Sequence, residues 1–518
     1  MPLRPPRFRL LTVLATALLL ATGCTAGPVA GPDIVRGDDS GGGDQPDDTL
    51  PGLSAPQRDL DYRSCGDQLA RTYGAPAPDG VELECASYDS PVDPAAPDGA
   101  TISIAVVRVK LDSTPADAAP LVLTTGNDLP TSRLALNLGG DAAKPLLEKH
   151  PLVLVDSRGL GESGTVDCLT RAQRAVFADD AASGTRDVAA RTTVLATAAR
   201  QGADICNDTL SPHQLNFASR DAAADLEQLR SRWEVDRIGL VGVGSGSSVA
   251  LAYLGAHPDR VGRLILDSPT GFNVQAPQAA AARAAGVQNS LAAFADRCAN
   301  LGCSLGPDGA ATLDRVVGAG ASGSLPGLSD TSILTAITTT LALGDTDPDG
   351  LKRLSTAITE ADEGNSAPLT RMLRESSPLR NSDGQQVAHC NNMVGRPGIS
   401  EVPDLARKWA ADAPMTANTA ALSLARCDGW GVAETAAAPS SFPVPPLVLL
   451  GQNDPINGLK SAEGIIPLLI TAGAEQTTVS WDGLGYSVLS RSDCAAALVV
   501  EYLGDRKLGS PAERACPA

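Results

Sequence analysis

The sequence predicts an α/β protein: a mostly parallel central sheet flanked by helices, carrying a long, mainly helical insertion. Three observations predict it. Short apolar runs alternate with helix-patterned segments between residues 151 and 267. That rhythm then stops, and residues 269–442 are Ala-rich and helical in pattern, with Gly and Pro interruptions. It resumes at 446–450 (P-L-V-L-L) and 477–481. Strand–helix–strand alternation implies parallel pairing through right-handed crossovers. A break between two strands of one sheet implies an insertion.

Taken in order, residues 101–110 (T-I-S-I-A-V-V-R-V-K) alternate as a strand does, and 120–124 form a second strand. Residues 151–156 (P-L-V-L-V-D) are almost wholly apolar, as expected of a strand buried on both faces. A helix starts near Ser219, which can cap it, while Asp221 and Asp225 suit its positive end. Leu226, Leu229 and Trp233 fall on one face of it. Residues 237–241 make the next strand. A glycine turn follows within L-V-G-V-G-S-G-S-S-V-A (240–250), then a helix over 247–256 and a strand at 263–267 (R-L-I-L-D). The expected organisation is a first core part at 58–268, a helical cap at 269–442 and a second core part at 443–518.

The N-terminus reads as a targeting segment. Arg4, Arg7 and Arg9 precede an apolar run at 10–20 that is too short for an ordinary membrane span. Ala21-Thr22-Gly23-Cys24 resembles a bacterial lipobox, with Ala21 in place of the commoner leucine. Residues 1–24 are therefore expected to be a lipoprotein signal with lipid on Cys24; a plain secretory signal is the alternative. Residues 25–57, rich in Gly, Asp and Pro, read as a flexible tether whose ends lie about 30 Å apart as a random coil. The expected location is outside the cell, anchored to the membrane by lipid only.

The remaining composition narrows the function classes. Of 518 residues 43% are hydrophobic and 19% charged, ordinary values for a globular chain. The net charge of −19 repels phosphate backbones, which excludes nucleic acid as a partner. Eleven cysteines less Cys24 leave ten, an even set without C-x-x-C spacing, and only four histidines are present. No metal site and no cofactor are expected. In an exported chain such a set reads as disulfides. Pairing of neighbours would give Cys65–Cys85, Cys168–Cys206, Cys298–Cys303, Cys390–Cys427 and Cys494–Cys516, although sequence alone leaves connectivity open. Oligomeric state is not legible.

Four stretches in order carry a resemblance: D-S-R-G-L-G-E-S-G-T-V-D-C (156–168), A-H-P-D-R-V-G-R-L-I-L-D-S-P (256–269), G-Q-N-D-P-I-N (451–457) and L-G-Y-S-V-L-S-R-S-D-C (484–494). With the glycine turn, they resemble the exported α/β-hydrolases of actinobacteria, the tripeptidyl aminopeptidase-like group related to prolyl iminopeptidases. The resemblance runs from about Cys65 to Cys516. It implies an α/β-hydrolase fold with an inserted helical cap, and a triad in the order Ser, Asp, His. There serine attacks the carbonyl, histidine shuttles the proton and the acid orients the imidazole, while two backbone N–H groups hold the oxyanion.

The resemblance places the nucleophile on Gly244, the acid on Asp454 and the histidine on Tyr486. No histidine follows Asp454; the four are His150, His213, His257 and His389. The loop expected to be glycine-rich reads T-G-N-D-L-P-T-S (125–132). Loss of serine or histidine from such a triad costs about a millionfold in turnover. Tyrosine, with a pKa near 10, is a poor base at neutral pH. Glycine at the apex relieves the backbone strain that a serine there would bear. The chain is therefore expected to be an inactive hydrolase homologue that binds a peptide or small ligand in the cleft under the cap.

Three alternatives stand beside this. An active hydrolase could use Ser245 or Ser247, although Ser245 is better placed to lend its backbone N–H to an oxyanion, and Ser247 and Ser248 suit a helix start. A nucleotide site could use Gly242, Gly244 and Gly246 with Asp267, on the weak evidence of a single G-x-G. A surface scaffold would need no pocket. Related exopeptidases use acidic cap residues to hold a substrate amine, but no residue of 269–442 can be given that role.

Overall fold

The computed structural model describes residues 49–183, 185–509 and 512–518. The expected signal segment, Cys24 and the expected tether up to Asp48 lie outside them. Among the described residues, ten strands form one sheet: β1 (Arg63–Ser64), β2 (Glu82–Pro91), β3 (Thr101–Lys110), β4 (Leu121–Thr124), β5 (Leu152–Val155), β6 (Ile238–Val243), β7 (Val261–Asp267), β8 (Leu447–Asn453), β9 (Thr477–Leu484) and β10 (Glu513–Cys516). Their spatial order is β1-β2-β3-β5-β4-β6-β7-β8-β9-β10. Pairing is antiparallel from β1 to β5 and parallel from there to β10.

Every residue of β4, β5, β6 and β7 is buried. This explains their nearly unbroken apolar composition, since both faces of these central strands are covered. Alternate side chains feed two cores. Leu121, Leu123, Leu152, Leu154, Val241 and Val243 face one, where Ala495, Ala496 and Val499 of the helix Asp493–Tyr502 pack. Val122, Val153, Leu240, Leu264 and Leu266 face the other, against Leu226, Leu229 and Trp233 of the helix Ser219–Trp233 and Val249 and Tyr253 of the helix Gly246–Ala256. Ser219 opens its helix as the first helical residue and is not its cap; Asp221 satisfies the preceding N–H of Ala218 at 3.0 Å.

Between β7 and β8 the chain is helical, from Ala276–Leu301 to Ala417–Ala425, and builds its own apolar clusters. The ten cysteines pair as Cys65–Cys85, Cys168–Cys206, Cys298–Cys303, Cys390–Cys427 and Cys494–Cys516.

The charged residues of the D-S-R-G-L-G loop after β5 are structural clamps. Asp156 accepts from the Ser132 N–H at 2.8 Å, the Ser132 hydroxyl at 2.7 Å and the Glu162 N–H at 3.1 Å. Arg158 pairs bidentately with Asp225, at 2.9 and 2.6 Å, and both side chains are buried.

The end of the expected tether departs from its composition. Residues 49–57 are seated on the body. The Leu50 N–H donates to Asp505 O at 2.8 Å, Arg263 Nη1 donates to Pro51 O at 2.6 Å, and the Gln57 N–H donates to Trp233 O at 2.9 Å. Leu50 is buried, and Leu53 packs over Gly239 and Gly262. Two leucines in a polar stretch are enough to dock it. Leu53→Ala is expected to lower unfolding stability by about 1–2 kcal/mol in chemical denaturation. A free tether would show no change.

Candidate functional site

The strand-to-helix turn follows β6 at the centre of the sheet. It is tight: a Cβ on Gly246 would lie 1.9 Å from Thr124 O. Gly244 stands at the apex with φ +55°, a left-handed conformation that suits glycine. Its N–H donates to Asp267 O at 2.9 Å.

The space in front of the apex is filled. A Cβ on residue 244 would lie 2.0 Å from Asp128 Oδ2, 2.6 Å from Asn457 Nδ2 and 2.8 Å from the Tyr486 phenol oxygen. Asp128 Oδ2 accepts from three donors: the Ser245 N–H at 2.9 Å, Asn457 Nδ2 at 2.7 Å and the Tyr486 hydroxyl at 3.1 Å. The Ser245 N–H is the donor that an α/β-hydrolase elbow gives to an oxyanion. Here an internal carboxylate occupies it.

Asp128 is held in place by its own loop and by the cap. Its N–H donates to Thr125 O at 3.2 Å. The Ser245 hydroxyl donates to Thr125 O and accepts from the Asn127 N–H, both at 3.0 Å. Gln385 Nε2, in the helix Asp383–Asn392, donates to Asp128 O at 3.1 Å. The hydroxyl of Ser245 thus fastens the loop. Ser247 is buried; its hydroxyl donates to Gly244 O at 2.6 Å and accepts from the Thr270 N–H at 3.1 Å.

Tyr486 is fully buried and reaches Asp128 and Val243 O, the latter at 3.3 Å. Burial first, then the Asp128 charge, push its phenol well above the ordinary 10, so it stays protonated and donates. Tyr486→Phe is expected to cost about 1–2 kcal/mol, because one donor to a buried carboxylate is lost. Thermal unfolding of the variant measures this.

Asp454 follows β8. Its Oδ1 accepts from the N–H groups of Ile456 and Asn457, at 2.8 and 3.3 Å. Its Oδ2 is buried with no hydrogen-bond partner among the described residues. Burial pushes its carboxyl up to about 7, with the nearby Asp128 charge adding to the rise. Asp267 is also buried but well satisfied, by the Ser487 hydroxyl and the N–H groups of Val488 and Leu489 at 2.9, 2.9 and 3.0 Å. With its acceptors filled by the protein, Asp267 has no geometry for a ribose.

Gly244, Ser245 and Tyr486 therefore converge, and Asp454 joins them through Asn457. Sequence reasoning missed Asp128 and Asn457. The available signals were the acid in T-G-N-D, where glycine was expected, and the last residue of N-D-P-I-N.

His389 is the histidine of the cleft. Its Nε2 donates to Ser423 O at 3.4 Å. Burial first, then Arg283 and Arg426, lower its pKa to about 4, so it is neutral at physiological pH. No hydrogen bond joins it to Ser245 among the described residues. His150 Nδ1 meets Ala119 O at 2.9 Å, and His257 stacks at a tilt on Tyr253 after the elbow helix.

Two cavities open between sheet and cap. An inner one of about 240 Å³ is bounded by Asp128, Arg380, Arg426 and Thr338. A larger one of about 660 Å³ passes Ser245, Phe272 and Asn391. Arg283 and His389 line both. Among the described residues no group of three or more His, Cys, Asp or Glu could hold a metal, and no helix is long and apolar enough to cross a membrane. The five disulfides fit an oxidising, extracytoplasmic compartment.

Comparison with known proteins agrees with the architecture. A family described as alpha/beta hydrolase fold matches residues 139–307, and one described as TAP-like protein matches residues 413–516. The chain is 26% identical over 235 residues to serine protease Hip1 of Mycobacterium tuberculosis and of Mycobacterium bovis. The alignment covers 44% of this chain and 44% of that protein, so it spans under half the length of these relatives. Solved structures that align with the chain at low similarity include haloalkane dehalogenase DatA from Agrobacterium tumefaciens (13% identity, TM-score 0.33, 81% of this chain and 96% of that one). Another is Cfl2 from Burkholderia cenocepacia (15% identity, TM-score 0.32, 82% and 96%).

Proposed function

We propose that this chain, an α/β-hydrolase fold with a TAP-like C-terminal region and distant homology to a mycobacterial serine protease, is a catalytically inactive binding protein. Its ligands are peptides or similar small molecules held between sheet and cap. One observation carries this reading: Asp128 Oδ2 lies 2.9 Å from the Ser245 N–H, where an oxyanion would have to form. A fixed carboxylate there repels the developing negative charge that catalysis must stabilise. The absence of a hydroxyl at Gly244 and of an imidazole at Tyr486 points the same way. Ser245 and Ser247, the remaining candidates for an active enzyme, spend their hydroxyls on backbone carbonyls. The cleft, at about 240 and 660 Å³, favours a binder over a scaffold without a pocket. Delivery to the outer membrane face through lipid on Cys24 remains part of the proposal.

The test pairs turnover with binding. Purified protein is expected to release no nitroaniline from tripeptidyl nitroanilides above buffer, while short peptides raise its melting temperature. Turnover that is abolished by Ser245→Ala or Ser247→Ala would establish the active reading instead. Absence of any peptide-induced shift would favour the scaffold.

A further inference from the structure

The cleft has a charge character opposite to that of the whole molecule. The chain carries a net −19, yet four arginines line the inner cavity: Arg174, Arg283, Arg380 and Arg426. Two of them are matched. Arg174 pairs with Asp383 at 2.7 Å, and Arg426 pairs with Asp180 at 2.6 Å. No carboxylate lies within ion-pair distance of Arg283 or Arg380 among the described residues. Arg380 is the sharper case. Its Nη1 is buried and has no hydrogen-bond acceptor. A guanidinium nitrogen enclosed without an acceptor is costly, and the nearby Asp128 charge offsets that burial only in part.

The two free arginines stand on different helices, Arg283 on Ala276–Leu301 and Arg380 at the end of Ala367–Arg380. They border the same inner chamber, and Arg283 also borders the outer one. The same chamber is lined by the neutral His389 and by Thr338, which add no charge. Among the described residues, Asp128 is the acid on this wall without an arginine ion pair. Its charge favours the charged form of Arg380, and its Oδ2 accepts from three elbow-side donors, so the two arginines still outnumber it.

Taking the binding-protein reading as given, we infer that the cleft selects organic anions. A carboxylate sits in the inner chamber against Arg380 and Arg283, and the body of the ligand extends past Arg283 into the outer chamber. For a peptide, the carboxylate is its free C-terminus. Guanidinium groups suit this task because each offers a planar fork of donors that matches the two oxygens.

Calorimetric titration of the full chain tests this with Ala-Ala-Phe as free acid, Ala-Ala-Phe amide and 3-phenylpropionate. The free acid is expected to bind about tenfold to a hundredfold more tightly than the amide. Arg380→Met and Arg283→Met are each expected to remove most of that preference, weakening free-acid binding far more than amide binding. Arg380→Met should also unfold at no lower temperature than the parent, since it removes a guanidinium nitrogen that is enclosed without an acceptor; a purely structural arginine would give a drop. Equal affinity for acid and amide, or a preference that survives Arg380→Met, would overturn the anion inference and leave the binding reading intact. Binding of 3-phenylpropionate that depends on Arg380, without binding of either peptide, would support the anion site and overturn the peptide reading. No binding by any of the three would overturn both.

Discussion

The triple variant Asp128→Ala, Gly244→Ser, Tyr486→His is expected to acquire covalent labelling by a fluorophosphonate at position 244, while Gly244→Ser alone stays unlabelled. The reason is steric before it is chemical. A Cβ at 244 would lie 2.0 Å from Asp128 Oδ2. The single variant must push that carboxylate aside and accept φ +55° on a residue other than glycine. The combined cost is about 2–4 kcal/mol of stability. Removing the Asp128 side chain frees both the space and the Ser245 N–H. An imidazole at 486 then supplies the base, and Asp454 offers an unpartnered Oδ2 to orient it. Loss of either serine or histidine costs a triad about a millionfold, so every double variant lacking one of them should remain unlabelled. Intact-mass spectrometry reads the adduct. Labelling of Gly244→Ser alone would show that Asp128 does not block the apex.

Asp454→Asn is expected to stabilise the protein, and the gain should depend on pH. Burial raises the Asp454 carboxyl from its ordinary 3.8 to about 7. Backbone donors from Ile456 and Asn457 only partly oppose this. The folded chain therefore holds this proton more tightly than the unfolded chain does. The advantage of that proton is fully present below about 3.8 and is lost as pH rises toward 7, where the folded group must ionise in place. At pH 8 the buried charge costs at most about 4 kcal/mol, from roughly three units at 1.36 kcal/mol each. The asparagine variant should melt higher than the parent at pH 8 and show no advantage at pH 4. A gain that is constant across that range would mean the carboxyl is not perturbed. An imidazolium in the place of Tyr486 would favour the ionised acid.

The sequence made much of this fold legible because burial leaves a compositional trace. β4, β5, β6 and β7 read as apolar runs since both of their faces are covered. β2 was not foreseen. Its sequence, E-L-E-C-A-S-Y-D-S-P, is half polar because it lies toward the edge of the sheet with one face partly solvated. Residues 49–57 read as tether by composition, yet Leu50 and Leu53 hold them to the body.

At the site, the family resemblance pointed to Gly244, Asp454 and Tyr486. The contact of Asp128 with Ser245 spans 117 residues and that with Asn457 spans 329, so no local pattern could reveal either. The same holds for Arg283 and Arg380. Each reads as an ordinary helical residue until the two helices are brought over one chamber.

The central claim is that Asp128 holds the oxyanion position against an apex that bears no side chain. Its most direct test is the unaltered protein incubated with excess fluorophosphonate and weighed intact. The account predicts an unchanged mass after hours at neutral pH. A single stoichiometric adduct on any serine would contradict it.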